Sequence, residues 1–126
     1  MTDLATLQQD LIRFRDERNW KQFHTLKNLI VSLNLEAAEV LELTQWKTDD
    51  ELAALKDDPQ FRKRLEDECA DVLLYLLQLS AEAGIDLLRA AENKMRKNAL
   101  RYPVGQAYGS ARKYTALDRD DDTGAG

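Results

Sequence analysis

Apolar residues recur at helical spacing along most of the chain. Between Leu4 and Phe14 they fall every three or four positions, which predicts a first helix from Asp3 to about Arg18 with Thr2 or Asp3 as its N-cap. Residues 19–25 are predicted to be a connector. The pattern predicts further helical segments over residues 26–46, 51–56, 60–83 and from 86 to 98 or 100.

Glycine and proline are scarce, with five and two residues, and three of them mark predicted helix ends. Pro59 can begin the third long helix, Gly84 can cap its C-terminus, and Pro103 ends the fourth. No strand pattern competes, so the fold class is predicted to be all-α, a four-helix bundle in one domain over residues 1–117. The acidic, glycine-containing residues 118–126 are predicted to be disordered.

The third long helix is apolar nearly all the way round between Val72 and Leu77. Such a helix must be covered on several sides, and a four-helix monomer of this size covers it poorly. The sequence therefore predicts a homo-oligomer that buries the second and third long helices between subunits.

Composition and charge narrow the function classes. The chain has 126 residues, enough for one domain, and a net charge of −5, which argues against binding to a nucleic-acid polymer. The run from Val72 to Leu77 is too short to span a membrane, and the first ten residues do not resemble a signal peptide. A single cysteine cannot form an internal disulfide, so a cytoplasmic location is expected.

Two acidic pairs, each with its members three residues apart, lie on two of the long predicted helices. At roughly 100° per residue, Glu36 falls within the apolar stripe of the second helix and Glu39 at its edge, whereas Glu42 falls on the opposite face. On the third helix, Glu68 falls within the apolar stripe and Asp71 at its border. Each helix therefore carries one carboxylate inside its apolar face and one beside it.

Carboxylates in apolar surroundings need a counter-charge. Burying an unpaired one costs several kcal/mol, and four that converge raise one another's pKa. A hard divalent cation removes both problems, and oxygen ligands select magnesium, manganese or calcium over zinc. The alternative is two ordinary solvated acidic pairs. Cys69, on the apolar side of the third helix, is predicted to be a small core residue rather than a ligand.

A basic stripe and several aromatic residues are candidates for binding a ligand. Lys94, Asn98 and Arg101 share a face of the fourth helix and could hold a triphosphate, although a solvated basic helix end has the same pattern. Candidates for stacking on a base or recognising its edge are Trp20, His24, Trp46, Tyr75 and Tyr102. Core packing is the alternative for Trp46 and Tyr75. A structural, hydrogen-bonded role is the alternative for His24, which is not expected to be the general base.

Together these segments resemble a known family. The ExxE of residues 36–39, the Gln-Trp-Lys-Thr of residues 45–48, the ExxD of residues 68–71 and the Arg-Tyr-Pro of residues 101–103 are similar to the MazG-like all-α nucleotide pyrophosphohydrolases. The flanking segments, residues 18–24 and 112–115, most resemble the dCTP pyrophosphatase branch. The resemblance spans roughly residues 4–117.

The resemblance implies a site and an assembly. It implies that Mg²⁺, with Mn²⁺ as a possible substitute, binds the catalytic acids Glu36, Glu39, Glu68 and Asp71. It implies that Trp20, Trp46 and Tyr75, with His24, surround the base and sugar. Nucleotide contacts are implied for Lys94, Asn98 and Arg101, with Tyr102 beside them. Dimers, or tetramers of two dimers, are expected, with sites between subunits.

The expected activity is hydrolysis of a nucleoside triphosphate between the α and β phosphates, giving the monophosphate and pyrophosphate. The favoured substrate is dCTP or a modified cytosine analogue, and the expected role is removal of unwanted nucleotides. Three alternatives remain at this point: a nucleotide- or metal-binding regulator without turnover, a purely structural bundle, and a hydrolase of the dUTP type.

Overall fold

The computed structural model describes residues 2–113 and 115, and these residues form helices joined by turns. The helices are α1 (Leu4–Glu17), α2 (Leu26–Glu42), α3 (Asp49–Leu55), α4 (Pro59–Ala83), α5 (Leu87–Arg101) and α6 (Val104–Ala107). A 3-10 turn, Lys21–Phe23, lies in the connector before α2. The described residues contain no strand, and the predicted all-α class is confirmed. The predicted disorder of residues 118–126, and Tyr114 of the 112–115 segment, lie outside the described residues.

Side-chain caps set where the long helices begin. Asp3 accepts a backbone N–H of the first turn of α1 at 2.8 Å, and Thr25 does the same for α2 at 3.2 Å. Asp58 caps α4 at 3.0 Å, with Pro59 as the first helical residue. Gly84 ends α4 with a left-handed φ of +68°, a conformation that glycine adopts without a steric penalty. The predicted caps of α1 and α4 are therefore observed.

The end of α2 differs from the prediction. The helix stops at Glu42 rather than near Trp46. The Thr44 hydroxyl donates to the carbonyl of Leu41 at 2.7 Å, and Trp46 has a φ of +62°. A left-handed residue cannot continue a right-handed helix, so the chain turns away before α3 begins.

Helix packing is described within two compact units, one ending at Asp86 and the other beginning at Leu87. In the first unit α2 lies along α4, and α1 packs on another part of α4. The Gln8 amide donates to the carbonyl of Leu77 at 2.9 Å and to the hydroxyl of Ser80 at 3.0 Å. These two bonds fix α1 against the second half of α4.

Little of the described chain is fully buried. Its buried apolar side chains are Leu29, Leu43 and Leu77. Cys69, predicted to be a core residue, is exposed, so that prediction is wrong for the single chain: α1 and α2 cover other sides of α4. Among the described residues, no helix has both the length and the apolarity needed to cross a membrane.

Candidate active site

The packing of α2 on α4 brings the two acidic pairs together. One carboxylate oxygen from each of Glu36, Glu39, Glu68 and Asp71 lies within 4.8 Å of the others. All four residues are half-buried. Residues three apart share a helical face, so two pairs on facing helices are enough to build this carboxylate cluster.

The carboxylate cluster carries more negative charge than its surroundings stabilise. Burial raises the pKa of Glu36, and a hydrogen bond to Glu39 and the charges of Glu39 and Asp71 add to the effect. A hydrogen bond with Glu39, followed by burial and the charges of the other acids, raises the pKa of Glu68 to about 7. Carboxylates this close do not all ionise at neutral pH without a compensating cation.

The chemistry of the cluster fits a hard divalent cation. Oε2 of Glu36 and Oε2 of Glu68 are buried and have no hydrogen-bond partner among the described residues. Buried polar atoms are almost always satisfied, and a bound cation would satisfy both oxygens while removing the repulsion. The donor set is all oxygen, which suits magnesium, manganese or calcium.

A cavity of about 150 Å³ lies between α1 and α4 and reaches the carboxylate cluster at Asp71. Its apolar walls are Leu11, Phe14, Trp20, Leu74 and Tyr75. Its polar lining residues are Arg15, His24, Asp71 and Gln78. The cavity is therefore an aromatic-walled slot with a carboxylate at one end and a few polar groups, as small-molecule sites typically have.

The connector after α1 holds Trp20 in the cavity wall. Asn19 takes a left-handed φ of +54°, which asparagine tolerates, and the Trp20 N–H then donates to the carbonyl of Arg15 at 3.1 Å. The Trp20 ring meets Phe14 edge to face, with centroids 5.8 Å apart. The Arg18 guanidinium lies 3.6 Å above the Phe14 ring. Trp20 is thus positioned by backbone and ring contacts before any ligand arrives.

His24 also lines this cavity. Its side chain is half-buried, and its Nδ1 has no hydrogen-bond partner within the described part of the chain. Nδ1 is therefore available to a bound molecule, and the role of His24, structural or in binding a substrate, stays a prediction.

The other predicted aromatic residues take different positions. Tyr75 is half-buried and lines the cavity. Trp46 is 92% exposed and is not a lining residue, so core packing is wrong for it in the single chain. Its role in binding a substrate stays a prediction.

The predicted basic stripe lies in the second unit. Lys94, Asn98 and Arg101 are exposed on α5, and the backbone N–H of Tyr102 donates to the carbonyl of Asn98 at 2.8 Å. The spacing keeps the three side chains on one face of the helix. Contact of these residues with a nucleotide stays a prediction.

Two polar residues of the cavity were missed by sequence reasoning. Arg15 is 7% exposed and Gln78 is 6% exposed, and both line the cavity. A signal was present for each. Arg15 follows Leu11 by four positions and so shares the apolar face of α1, and Gln78 is the one amide in the apolar run of residues 72–79.

The described residues thus define an all-α protein with a four-carboxylate cluster beside an aromatic-walled cavity. Comparison with known proteins gives the particular family. The MazG-like family matches residues 31–117, and the chain belongs to it. The predicted resemblance is thereby confirmed.

Individual relatives agree with this assignment. The chain is 46% identical over 106 residues to dCTP pyrophosphatase 1 of Rattus norvegicus, covering 84% of this chain and 62% of the relative. It is 45% identical over 104 residues to dCTP pyrophosphatase 1 of Homo sapiens, covering 82% and 61%. The chain thus spans about three fifths of the length of these curated relatives.

A solved structure is also similar. A pyrophosphatase from Archaeoglobus fulgidus superposes with a TM-score of 0.75 at 40% sequence identity, covering 82% of this chain and 94% of that one. The likeness therefore extends over nearly all of the archaeal chain, in fold as well as in sequence.

Proposed function

We propose that this protein is a Mg²⁺-dependent nucleoside triphosphate pyrophosphohydrolase that converts dCTP, or a modified dCTP, to the monophosphate and pyrophosphate. The observation that carries the proposal is the convergence of four carboxylates within 4.8 Å at the end of an aromatic-walled cavity. The similarity to the rat and human proteins named dCTP pyrophosphatase 1 supports dCTP as the substrate.

The cation would be held by Glu36, Glu39, Glu68 and Asp71, with Mn²⁺ as a possible substitute for Mg²⁺. When bound, Mg²⁺ supplies a lowered pKa for water and neutralises charge on the phosphates. The unpartnered buried oxygens of Glu36 and Glu68 support these two residues as ligands.

The chain's own residues then direct the hydrolysis. Water attacks the α-phosphorus, forming a new P–O bond, and the bond from the α-phosphorus to the oxygen bridging to the β-phosphate breaks. Glu39, through a carboxylate oxygen that does not bind the cation, would accept the proton of the attacking water, and pyrophosphate leaves. Asp71 belongs to both the carboxylate cluster and the cavity wall, so the triphosphate would lie at the cluster and the base in the cavity.

The remaining predicted residues have proposed roles around the nucleotide. Trp20, Tyr75 and His24 would contact the base and sugar, since they line the cavity beside Asp71. Trp46 would add a further aromatic surface. Phosphate contacts are proposed for Lys94, Asn98 and Arg101, with Tyr102 beside them, because cations and amides donate to phosphate oxygens.

The protein would act as a homodimer or as a tetramer of two dimers. Support comes from large apolar side chains on α2 that the single chain leaves exposed, among them Val31 at 48% and Leu35 at 61%, which lie four residues apart on one face. Contiguous exposed apolar surface is typical of interfaces between subunits. Light scattering during size-exclusion chromatography would give the mass, and a monomer at micromolar concentration would contradict the assembly.

The activity is tested by incubating the purified protein with each dNTP and Mg²⁺ and detecting pyrophosphate. We expect pyrophosphate from dCTP and none when EDTA replaces Mg²⁺. Glu36→Gln should abolish turnover, whereas Glu42→Gln, an exposed glutamate on the same helix, should not. Binding of nucleotide without pyrophosphate from any dNTP would identify a regulator instead.

A further inference from the structure

Gln78 is a buried polar side chain whose acceptor has no partner. It lies on α4, is 6% exposed, and lines the cavity between α1 and α4. Its Oε1 is buried without a hydrogen-bond partner in residues 2–113 and 115. A buried carbonyl oxygen without a donor is costly, and a ligand in the cavity is the available source of that donor.

Arg15 supplies a second polar group to the same cavity from α1. It is 7% exposed, and its guanidinium contacts the carboxylate of Asp16 through Nε at 2.9 Å and through Nη2 at 2.8 Å. Both contacts use one edge of the guanidinium. An arginine has five N–H donors and no acceptor, so the other donors can serve a ligand that presents acceptors.

The spacing of Asp71 and Gln78 suits the length of a nucleotide from its α-phosphate to its base. Asp71 and Gln78 are seven residues apart on α4, which is about 10 Å along the helix axis. This distance is similar to the distance between the α-phosphate of a nucleotide and the far edge of its base. A cavity of about 150 Å³ accepts one six-membered ring such as benzene, so a pyrimidine fits it better than a purine.

We propose that Gln78 and Arg15 read the polar edge of a cytosine base in this cavity. Cytosine presents two acceptors, O2 and N3, followed by one donor, its 4-amino group. Arg15 donates to the acceptors, and Oε1 of Gln78 accepts from the 4-amino group. Uracil presents an oxygen to Oε1 in place of that amino group, and its N3–H presents a donor to Arg15 in place of an acceptor. The assignment rests on the proposed function and names the residues that set its base preference.

The test is a thermodynamic cycle that combines one substitution in the enzyme with one chemical change in the substrate. Wild type and Gln78→Leu are each assayed for kcat/KM with dCTP and with the 2′-deoxy triphosphate of 2-pyrimidinone, which is cytosine without its 4-amino group. In the wild type, removing the amino group should lower kcat/KM by about 10-fold, the value of one hydrogen bond. Gln78→Leu should lower kcat/KM for dCTP by a similar factor and leave the 2-pyrimidinone substrate unchanged.

Arg15 is tested separately, because both substrates retain O2 and N3. Arg15→Lys keeps the charge but loses the planar arrangement of donors, so kcat/KM should fall for both substrates alike. Gln60→Leu, which replaces an exposed glutamine on α4, is the matched control and should change neither substrate. Thermal unfolding of every variant, with Gln78→Met as a second replacement, separates loss of recognition from loss of folding.

Each outcome decides the assignment. Equal losses on both substrates in Gln78→Leu, no loss on either, or a wild-type preference for dUTP over dCTP would overturn it. If the wild type releases pyrophosphate from no triphosphate, the proposed function fails instead. In that case the dissociation constants of the same two nucleotides are measured by calorimetry for wild type and Gln78→Leu. If the 4-amino group strengthens binding to the wild type but not to Gln78→Leu, the assignment of Gln78 to cytosine is supported. If it strengthens binding to both proteins equally, the assignment is refuted.

Discussion

Replacing Glu36 by glutamine should make the metal-free protein more stable while removing its response to Mg²⁺. The substitution keeps the size of the side chain and removes one charge from the carboxylate cluster. Two unit charges 4.8 Å apart repel by about 1 kcal/mol at the dielectric constant of water and by about 3.5 kcal/mol at an effective value of 20. Because Glu36 is only half-buried, the lower part of that range applies.

Glu39 and Asp71 are the neighbours whose charges act on Glu36, so two repulsions are relieved. We expect a gain of about 1 to 3 kcal/mol at pH 8. For a domain of this length, that gain corresponds to a rise in Tm of about 3 to 10 °C. In the wild type, Mg²⁺ at 100 times its Kd should add about 2.7 kcal/mol, and Glu36→Gln should lose most of this effect.

The assay is thermal unfolding followed by circular dichroism at pH 8, at one protein concentration, in EDTA and across a Mg²⁺ titration. The wild type should be the less stable protein in EDTA and the more stable one at high Mg²⁺, so the two curves cross. Glu42→Gln should follow the wild type throughout. Two results together would refute the idea that these acids form a cation site. The Tm of the wild type would not change with Mg²⁺, and Glu36→Gln would unfold at the same temperature as Glu42→Gln.

Three further outcomes follow from the structure. The pKa of Glu68 is about 7 in the folded protein, above the value of about 4.3 for an unfolded glutamate, so the stability that this group contributes is full below pH 4.3 and is lost as the pH rises through 7. Urea unfolding in EDTA should therefore give a lower free energy of unfolding at pH 8 than at pH 5, and saturating Mg²⁺ should remove the difference. Leu29→Ala, at a side chain that is 1% exposed, should lower the free energy of unfolding by about 2 to 5 kcal/mol in the same assay, and a loss below about 1 kcal/mol would contradict its place in the core. Gly84→Ala should lower the free energy of unfolding by about 1 to 2 kcal/mol because of its φ of +68° alone, since an added Cβ would meet no atom within 4 Å. A loss above about 3 kcal/mol would show that steric contacts, and not the backbone conformation, cause the destabilisation.

Much of the fold could be predicted from local signals. The starts of α1 and α4 follow from Asp3 and Pro59, whose chemistry acts within one helical turn. The meeting of the acidic pairs also follows from helical periodicity, because each pair needs only its own face and a neighbouring helix. Such features depend on spacing along one segment and are therefore visible in the sequence.

Other features depend on contacts that no short segment encodes. At the early end of α2, the backbone N–H groups of residues 43–45 donate to carbonyls three residues back, and Trp46 beyond them takes a left-handed conformation that a large aromatic residue seldom adopts. The exposure of Cys69 depends on which sides of α4 its partners cover. Gln78 and Arg15 became candidates only when α1 and α4 were seen to enclose one cavity. Sequence periodicity identifies a buried face but not the neighbour that shares it.

The raised pKa values of Glu36 and Glu68 have a consequence for binding at the proposed cation site. With the pKa of Glu68 near 7 and that of Glu36 raised as well, protons and the cation compete for the same oxygens at neutral pH. Each cation that binds must release protons, so its apparent affinity weakens as the solution becomes more acidic. At the proposed cation site, a lower pH would therefore weaken binding of the cation to these carboxylates.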